Sequence, residues 1–255
     1  MTFAIIVQAR FGSSRLPGKV LERIGEKIAL LRCLDRCAAV PGVDAVVCAV
    51  PEETKSDGVA VAAAGAGYAV VRGSEGDVLA RYAKAARAVR ADLVMRVTSD
   101  CPLIDPALCG AVHDLLLSAR GDYACNNMPP SWPHGLDCEI FPAQLLYAAE
   151  REAHDPYARE HVTPWLRRNP QLKRANLEGP GGARARMRWT LDYPEDLAFF
   201  RAVFARMGEA AAQAPWEEIA ALCEADPAIA AINAQRMDAS RLADPLRADV
   251  TAKAA

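Results

Sequence analysis

The sequence lacks the features by which proteins enter membranes or leave the cell. No apolar run approaches the roughly 20 residues that a membrane-spanning helix needs. The opening residues, MTFAIIVQ, run directly into a strand-like segment, without the basic start, apolar stretch and small-residue cleavage site of a secretory leader. We therefore expect a cytoplasmic protein that has no membrane partner.

A strong net charge is also absent. The 255 residues carry a formal charge of −2, and the isoelectric point is near 6.1. Such a chain has no long-range attraction to nucleic acid, so we expect no nucleic-acid partner and look for anion binding in short local clusters. The C-x-x-C spacing is missing as well, although the chain has 8 cysteines. Most of these thiols are expected to be small buried apolar groups.

Short β-rich segments alternate with amphipathic helical stretches through the first half of the chain. The predicted strands are Phe3–Ala9, Asp44–Val50, Tyr68–Val71 and Asp92–Thr98. Between the first two, apolar residues such as Leu30 and Leu34 recur at the spacing of one helix face. This alternation predicts an α/β fold with a mainly parallel sheet and helices on both of its faces.

The alternation breaks at a proline-rich loop, NNMPPSWPHG, at residues 126–135. Further elements are predicted as strands at Leu136–Phe141 and Met187–Asp192 and as helices at Ala143–Glu152 and Tyr157–Arg168. We predict one domain over residues 1–234, with an inserted region at about 126–186 that contacts an acceptor or a second subunit. The Ala-rich residues 235–255 are predicted to be a mobile tail.

The loop VQARFGSSRLPGK follows the first predicted strand and combines cations with glycines and serines. Its spacing matches neither the Walker phosphate loop nor the G-x-G-x-x-G dinucleotide fingerprint. Gly12, Ser13 and Ser14 can still present backbone N–H groups to oxyanions, and the carboxyl ends of the strands are where open α/β sheets bind ligands. Positive charge in this loop comes from Arg10, Arg15 and Lys19. The loop is therefore predicted to bind phosphate.

Two aspartates follow predicted strands directly. Asp100 lies in RVTSDCPLID and Asp192 in LDYPEDL. Mg²⁺ prefers hard oxygen ligands, and one or two carboxylates together with substrate phosphates suffice to hold it. Taken singly, each aspartate is as well explained as a helix cap or a turn residue. Asp105 and Asp196 are assigned to capping or surface roles.

These motifs together resemble the cytidylyltransferase family that activates acidic sugars as CMP conjugates. This family includes the CMP-Kdo and CMP-acylneuraminate synthetases, and the resemblance is to its branch named after spore-coat polysaccharide biosynthesis. The stretches that carry the resemblance are VQARFGSSRLPGKVL, VRGSEGDVLARY, RVTSDCPLIDP, HGLDCEIF, REHVTPW and LDYPEDL. The resemblance implies a Rossmann-like, mixed and mainly parallel sheet of the GT-A nucleotidyltransferase type, and a homodimer.

The resemblance also implies the site. Its catalytic residues are Arg15, Lys19, Asp100 and Asp192, with Mg²⁺ as cofactor on the two aspartates. The positions that match the nucleotide-binding residues are Ala9, Arg10, Gly12, Ser13, Gly73, Ser74, Asp77 and Arg81. The implied reaction is Mg²⁺-dependent transfer of CMP from CTP to an acidic sugar, with release of pyrophosphate, for surface polysaccharide biosynthesis.

A cluster of polar residues in the inserted region is predicted to bind the acceptor. Its members are His134, Asp137, Glu139, Arg159 and His161. Arg159 is a candidate clamp for a carboxylate, although a surface ion pair explains it equally well. Three alternatives stay open. They are a GT-A glycosyltransferase, although the chain has no D-x-D motif; a cytidylyltransferase acting on a phosphonate or polyol phosphate; and a nucleotide-binding subunit without catalysis.

Overall fold

The structure, a computed structural model, describes residues 1–242. The strands are β1 (Phe3–Gln8), β2 (Arg23–Ile24), β3 (Lys27–Ile28), β4 (Ala45–Pro51), β5 (Ala69–Gly73), β6 (Leu93–Thr98), β7 (Tyr123–Cys125), β8 (Glu139–Pro142) and β9 (Arg174–Asn176). The helices are α1 (Ala29–Ala38), α2 (Asp57–Gly65), α3 (Val78–Ala88), α4 (Pro106–Ala119), α5 (Ala143–Glu152), α6 (Pro156–His161), α7 (Pro164–Arg168), α8 (Gly182–Ala185), α9 (Pro194–Met207), α10 (Trp216–Ala225) and α11 (Pro227–Ala231).

One mixed sheet organises the molecule, with the strand order β5-β4-β1-β6-β8-β7-β9. The pairs of β1 with β4 and β6, of β4 with β5 and of β7 with β9 are parallel. Strand β8 runs antiparallel to both β6 and β7. The predicted fold class, a mainly parallel α/β sheet, is confirmed. Because β8 and β9 belong to this sheet, the region at 126–186 is partly built into it.

The central strand β1 is buried on both faces, which explains its uninterrupted apolar sequence. Phe3, Ile5 and Val7 pack in one core and Ala4 and Ile6 in the other. Such double burial is typical of parallel sheets covered by helices on both sides. Burying each large aliphatic side chain contributes about 1.5–3 kcal/mol.

Helices cover both faces of the sheet. The apolar sides of α1, α2 and α4 pack in the first core, and those of α3, α5, α6 and α7 pack in the second. A third cluster joins α9 and α10 to Trp189. The 8 cysteines are all buried and unpaired, as predicted. Among residues 1–242, no helix is long and apolar enough to cross a bilayer.

Several predicted elements differ from those in the structure. The single helix predicted at Tyr157–Arg168 is two helices, because Val162 adopts a φ of 70° and Pro164 starts α7. The strand predicted at Met187–Asp192 is reduced, among the described residues, to one isolated bridge between His134 and Arg188. The residues just before this segment form the short helix α8. The edge strand β9 was not predicted.

The predicted tail falls mostly outside the described residues, since only residues 235–242 of it are covered. This part contains the end of a 3₁₀ turn at Ala234–Arg236 and another at Ala239–Leu242. Arg241 in the second turn donates hydrogen bonds to Trp132 O at 3.3 Å and to Asp137 Oδ1 at 2.6 Å. The last described residues therefore pack against the proline-rich loop.

Candidate active site

Three chain segments meet at the carboxyl ends of β1 and β6. The two strands pair in register, with Gln8 opposite Thr98, so the loops that follow them leave the sheet together. The third segment is fixed by main-chain contact, because Leu191 N donates to Asp100 O at 2.8 Å. Asp192 is thereby brought beside Asp100, although no regular strand carries it there.

Lys19 lies between the two aspartates that these segments present. Its Nζ is 3.1 Å from Asp100 Oδ2 and 2.7 Å from Asp192 Oδ1. Arg15 Nη2 is 3.0 Å from the same oxygen of Asp192. The conformation of the basic loop sets the position of Lys19. Gly18 has a φ of 70°, which favours glycine, and its N–H donates to Phe11 O at 3.0 Å.

Both aspartates are ionised in this arrangement. Burial opposes ionisation, but the nearby Lys19 and Arg15 outweigh it and bring the pKa of Asp192 to about 2. The pKa of Asp100 is also lowered, since Lys19 outweighs burial and the repulsion from Asp192. The pKa of Lys19 is raised by the two carboxylates against the effect of burial. The site is therefore a cation held between two anions at neutral pH.

A second layer of contacts fixes Asp192. Asp196 is fully buried and its Oδ2 accepts hydrogen bonds from the backbone N–H groups of Asp192 and Tyr193, both at 2.9 Å. Arg188 Nε donates to Asp196 Oδ1 at 2.8 Å, and its Nη2 lies 3.4 Å from Asp192 Oδ2. The capping role predicted for Asp196 is confirmed, but it is not a surface residue. Asp105 also caps a helix, accepting from Leu108 N at 2.8 Å.

A first cavity of about 330 Å³ opens over the basic loop. Among the predicted site residues, those that line it are Ala9, Arg10, Gly12, Ser13, Arg15, Lys19, Arg81, Asp100, His161 and Asp192. Ser14 and Gln8 line it as well. Cations and exposed backbone amides on one wall suit a polyphosphate, as the sequence predicts.

Three predicted nucleotide contacts, Gly73, Ser74 and Asp77, do not line the first cavity. Arg81 is held by Ser74, whose carbonyl oxygen accepts from Arg81 Nη1, and it packs against Gly73, where an added Cβ would lie 3.2 Å from the Arg81 side chain. Asp77 caps α3 by accepting from Ala80 N at 2.9 Å. Of the predicted contacts in this segment, Arg81 therefore lines the cavity, and the other three residues position it.

A second cavity of about 510 Å³ adjoins the first. The two share the walls formed by Thr98, Asp100, His161 and Asp192. The second cavity also contains the predicted acceptor residues His134 and Asp137. Residues that line it but were not predicted are Asn127, Arg167, Thr190, Asp238 and Arg241. The aspartate pair thus lies where the two cavities meet.

Two predicted acceptor residues lie outside both cavities. Glu139 is 1% exposed and forms ion pairs with Arg96 at 2.7 Å and Arg167 at 2.6 Å. Arg159 pairs with Asp77 and donates to Glu150 O at 2.6 Å. Both side chains are therefore engaged within the protein. Glu139 bears on the site indirectly, because it holds Arg167 in the wall of the second cavity.

The carboxylates of Asp100 and Asp192 could hold a metal ion only if further ligands complete its coordination shell. Within residues 1–242, no group of three or more His, Cys, Asp or Glu side chains is placed to hold a metal ion. Asp100 and Asp192 both contact the ammonium group of Lys19, so the two carboxylates lie close together. A pair of carboxylates fits Mg²⁺ when substrate phosphates and waters complete its shell.

Residues 4–226 match the family described as cytidylyltransferase. The chain belongs to the cytidylyltransferase family. It is accordingly a nucleotidyltransferase, and the basic loop and the aspartate pair both lie within the matched residues.

Individual relatives agree with the family assignment. The chain is 34% identical over 211 residues to the spore coat polysaccharide biosynthesis protein SpsF of Bacillus subtilis, covering 80% of this chain and 87% of that protein. It is 40% identical over 121 residues to a 3-deoxy-manno-octulosonate cytidylyltransferase of Maricaulis maris, covering 46% and 45% of the two chains. A solved cytidylyltransferase of Leptospira borgpetersenii superposes with a TM-score of 0.84 at 29% identity, covering 90% of this chain and 96% of that one.

Proposed function

We propose that this cytidylyltransferase transfers CMP from CTP to an acidic sugar, releasing pyrophosphate, for the biosynthesis of a surface polysaccharide. The observation that carries the proposal is the junction of the two cavities at Asp100 and Asp192. A reaction between two substrates needs their reacting atoms side by side, and one cavity for each substrate meets that need. That the protein acts as a cytoplasmic homodimer stays a prediction.

CTP would occupy the first cavity, with its phosphates against the basic loop. Arg10, Arg15 and Lys19 supply positive charge there, and the amides near Gly12 and Ser13 supply N–H donors. Lys19 and Arg15 would stabilise the charge that develops on the leaving pyrophosphate. Because nucleotidyl transfer needs little covalent help from the protein, these side chains would act by positioning the phosphates and neutralising their charge.

The acceptor would occupy the second cavity and react at its junction with the first. Its hydroxyl oxygen forms a bond to the α-phosphorus, the bond from that phosphorus to pyrophosphate breaks, and the hydroxyl proton is released. His161 lines both cavities, so its imidazole is placed to hydrogen-bond a hydroxyl of the acceptor. Arg167 takes the carboxylate-binding role predicted for Arg159, because it lines the second cavity and Arg159 does not.

Asp100 and Asp192 would hold Mg²⁺ together with phosphate oxygens of CTP. Their contacts with one ammonium group fit this requirement, since a single cation reaches both carboxylates. When bound, Mg²⁺ would neutralise phosphate charge and acidify the attacking hydroxyl. Asp196 and Arg188 keep the carboxylate of Asp192 in place for this role.

The test is a pyrophosphate-release assay with Mg²⁺ and a matrix of substrates. CTP, UTP, ATP and GTP are each combined with Kdo, N-acetylneuraminate, a polyol phosphate and a phosphonate. We expect release with CTP and an acidic sugar, and a product that contains both CMP and the sugar. Release only with the phosphonate or the polyol phosphate would overturn the acceptor assignment. Binding of CTP without any turnover would favour a non-catalytic subunit.

The same assay separates the proposal from glycosyl transfer, in which an intact nucleotide sugar is consumed and no pyrophosphate is released. Asp137-Cys-Glu139 is only a weak approximation to a D-x-D metal motif. Glu139 is buried between two arginines and does not line either cavity. This pairing argues against a glycosyltransferase metal site on these residues.

A further inference from the structure

The second cavity is partly walled by residues that lie beyond the family match. The match ends at residue 226, whereas Asp238 and Arg241 line the cavity. Helix α11 and the two 3₁₀ turns that follow it carry the chain back to the site. Asn233 holds this part of the chain against the site, because its Nδ2 donates to Arg188 O and to Asp196 Oδ1, both at 2.9 Å.

Arg241 pairs there with the partly buried carboxylate of Asp137, which follows the proline-rich loop. Its Nη2 lies 2.6 Å from Asp137 Oδ1, and the two side chains are 14% and 20% exposed. The backbone N–H of Gly135 donates to the other oxygen of Asp137 at 3.2 Å. Burial opposes the ionisation of Asp137, but Arg241 outweighs it and lowers the pKa of that carboxyl. Asp137 is therefore anionic, and Arg241 offsets its charge.

If the ligand of the second cavity is an anion, the negative charge of Asp137 must be neutralised. Its walls hold the carboxylates of Asp100, Asp137, Asp192 and Asp238. Lys19 and Arg15 pair with the aspartates at the junction, and these cations are also required by the triphosphate. An unpaired Asp137 would repel an acidic acceptor across a partly buried space, where screening by water is weak.

We infer that Arg241, supplied by the segment beyond residue 226, is a specificity-determining positioning residue that cancels the charge of Asp137 and so admits an acidic acceptor to the second cavity. The inference rests on the proposed function. It assigns acceptor selection to a part of the chain outside the family match, while the nucleotide half is built from residues within that match.

The experiment is a mutant cycle on Arg241 and Asp137, with pyrophosphate release measured on the full chain. The acceptor is whichever of Kdo and N-acetylneuraminate the wild type uses faster. Arg241→Ala is expected to raise the acceptor KM about tenfold or more, with the KM for CTP unchanged within about twofold. Adding Asp137→Asn removes the uncompensated charge, so the double variant should recover an acceptor KM within about threefold of the wild type.

A matched control is Arg206→Ala, which removes an arginine that is 63% exposed, pairs with Asp226 and lines neither cavity. It should leave both KM values unchanged. If Arg241→Ala does not fold, the acceptor KM of Asp137→Asn is compared with that of the double variant instead. With the carboxylate already gone, the further loss of Arg241 should change the acceptor KM less than about threefold.

An unchanged acceptor KM in Arg241→Ala overturns the inference and leaves the proposed function standing. The same holds if the double variant is no better than Arg241→Ala, because removal of the carboxylate would then not restore binding. If the wild type releases no pyrophosphate with any acidic sugar, the proposed function fails and the inference fails with it.

Discussion

Lys19 Nζ lies 2.7 Å from Asp192 Oδ1, although 173 positions separate the two residues in the sequence. The same ammonium group is 3.1 Å from Asp100 Oδ2. The lysine thus occupies the space between two carboxylates that the proposed reaction assigns to a divalent cation. Its charge stabilises two partly buried anions that would otherwise repel each other.

Removal of Lys19 should therefore make the aspartate pair available to a divalent cation. In Lys19→Met we expect Mn²⁺ or Mg²⁺ to raise the thermal unfolding midpoint more than it does in the wild type, because the cation replaces the missing ammonium. Differential scanning fluorimetry with and without the metal measures this difference. Lys27→Met is the control, since Lys27 is exposed and pairs with Asp35 away from the site. Equal metal shifts in wild type and Lys19→Met would contradict the arrangement.

Glu139 should behave as a structural ion and give stability a clear pH dependence. Its pKa is lowered from 4.5 to about 2, because Arg167 and Arg96 outweigh the effect of burial. A pKa lower in the folded than in the unfolded state stabilises the fold above about pH 4.5, and this contribution, about 3 kcal/mol, is lost as the pH falls towards 2.

We expect Glu139→Gln to lower the free energy of unfolding at pH 7 by about 3 kcal/mol, because it leaves two partly buried guanidinium groups without a counter-ion. The difference from the wild type should shrink as the pH falls from 4.5 towards 2. Urea unfolding at several pH values measures it. A difference that is independent of pH would show that the ionised carboxylate is not what stabilises this region.

Two residues of one helix, α6, should differ in their effect on acceptor binding. Arg159 pairs with Asp77 outside both cavities, whereas His161 lines both. Arg159→Gln should leave the acceptor KM unchanged within about twofold, and His161→Gln should raise it about tenfold. Steady-state kinetics at saturating CTP distinguishes them. An increase in KM for Arg159→Gln alone would restore the role that the sequence predicted for this arginine.

Gly135 should tolerate no side chain. It has a φ of 111°, and an added Cβ would overlap the carbonyl oxygen of Trp189. This close approach joins the segment of His134 to that of Arg188, so it helps to form the second cavity. We expect Gly135→Ala to lower the free energy of unfolding by about 2–4 kcal/mol, measured by urea unfolding.

Gly42→Ala is the control. It measures the cost of a positive φ without a steric clash, since nothing lies within 4 Å of a Cβ there. Equal losses in the two variants would refute the steric argument.

The sequence was sufficient to predict the sheet because its central strands carry strong local signals. Phe3–Val7 is apolar on both faces, and Leu93–Thr98 is apolar except at Arg96 and Thr98. Few structures other than a covered parallel sheet require such runs. The segment Met187–Asp192 has similar β-rich composition, yet it forms only an isolated bridge. Its position depends on contacts with Asp100 O and His134 O, which are distant in sequence and leave no local pattern.

The basic loop and the aspartates were predicted for a similar reason, since each follows a recognisable strand or precedes a helix. The acceptor side was harder to predict. Glu139 and Arg159 have the right chemistry, but burial and long-range ion pairs engage them elsewhere. Arg241 lies in an Ala-rich stretch that suggests a mobile tail, and only the tertiary fold brings it to Asp137.

We propose that Asp100 and Asp192 form the reaction centre between the two cavities. Single-turnover pyrophosphate release at saturating CTP, Mg²⁺ and acidic sugar tests it most directly, in Asp100→Asn, Asp192→Asn and the exposed control Asp114→Asn. We expect the first two variants to lose about a hundredfold or more in rate with unchanged unfolding midpoints, and the control to match the wild type. Near-normal release in a correctly folded Asp100→Asn or Asp192→Asn variant would contradict the claim.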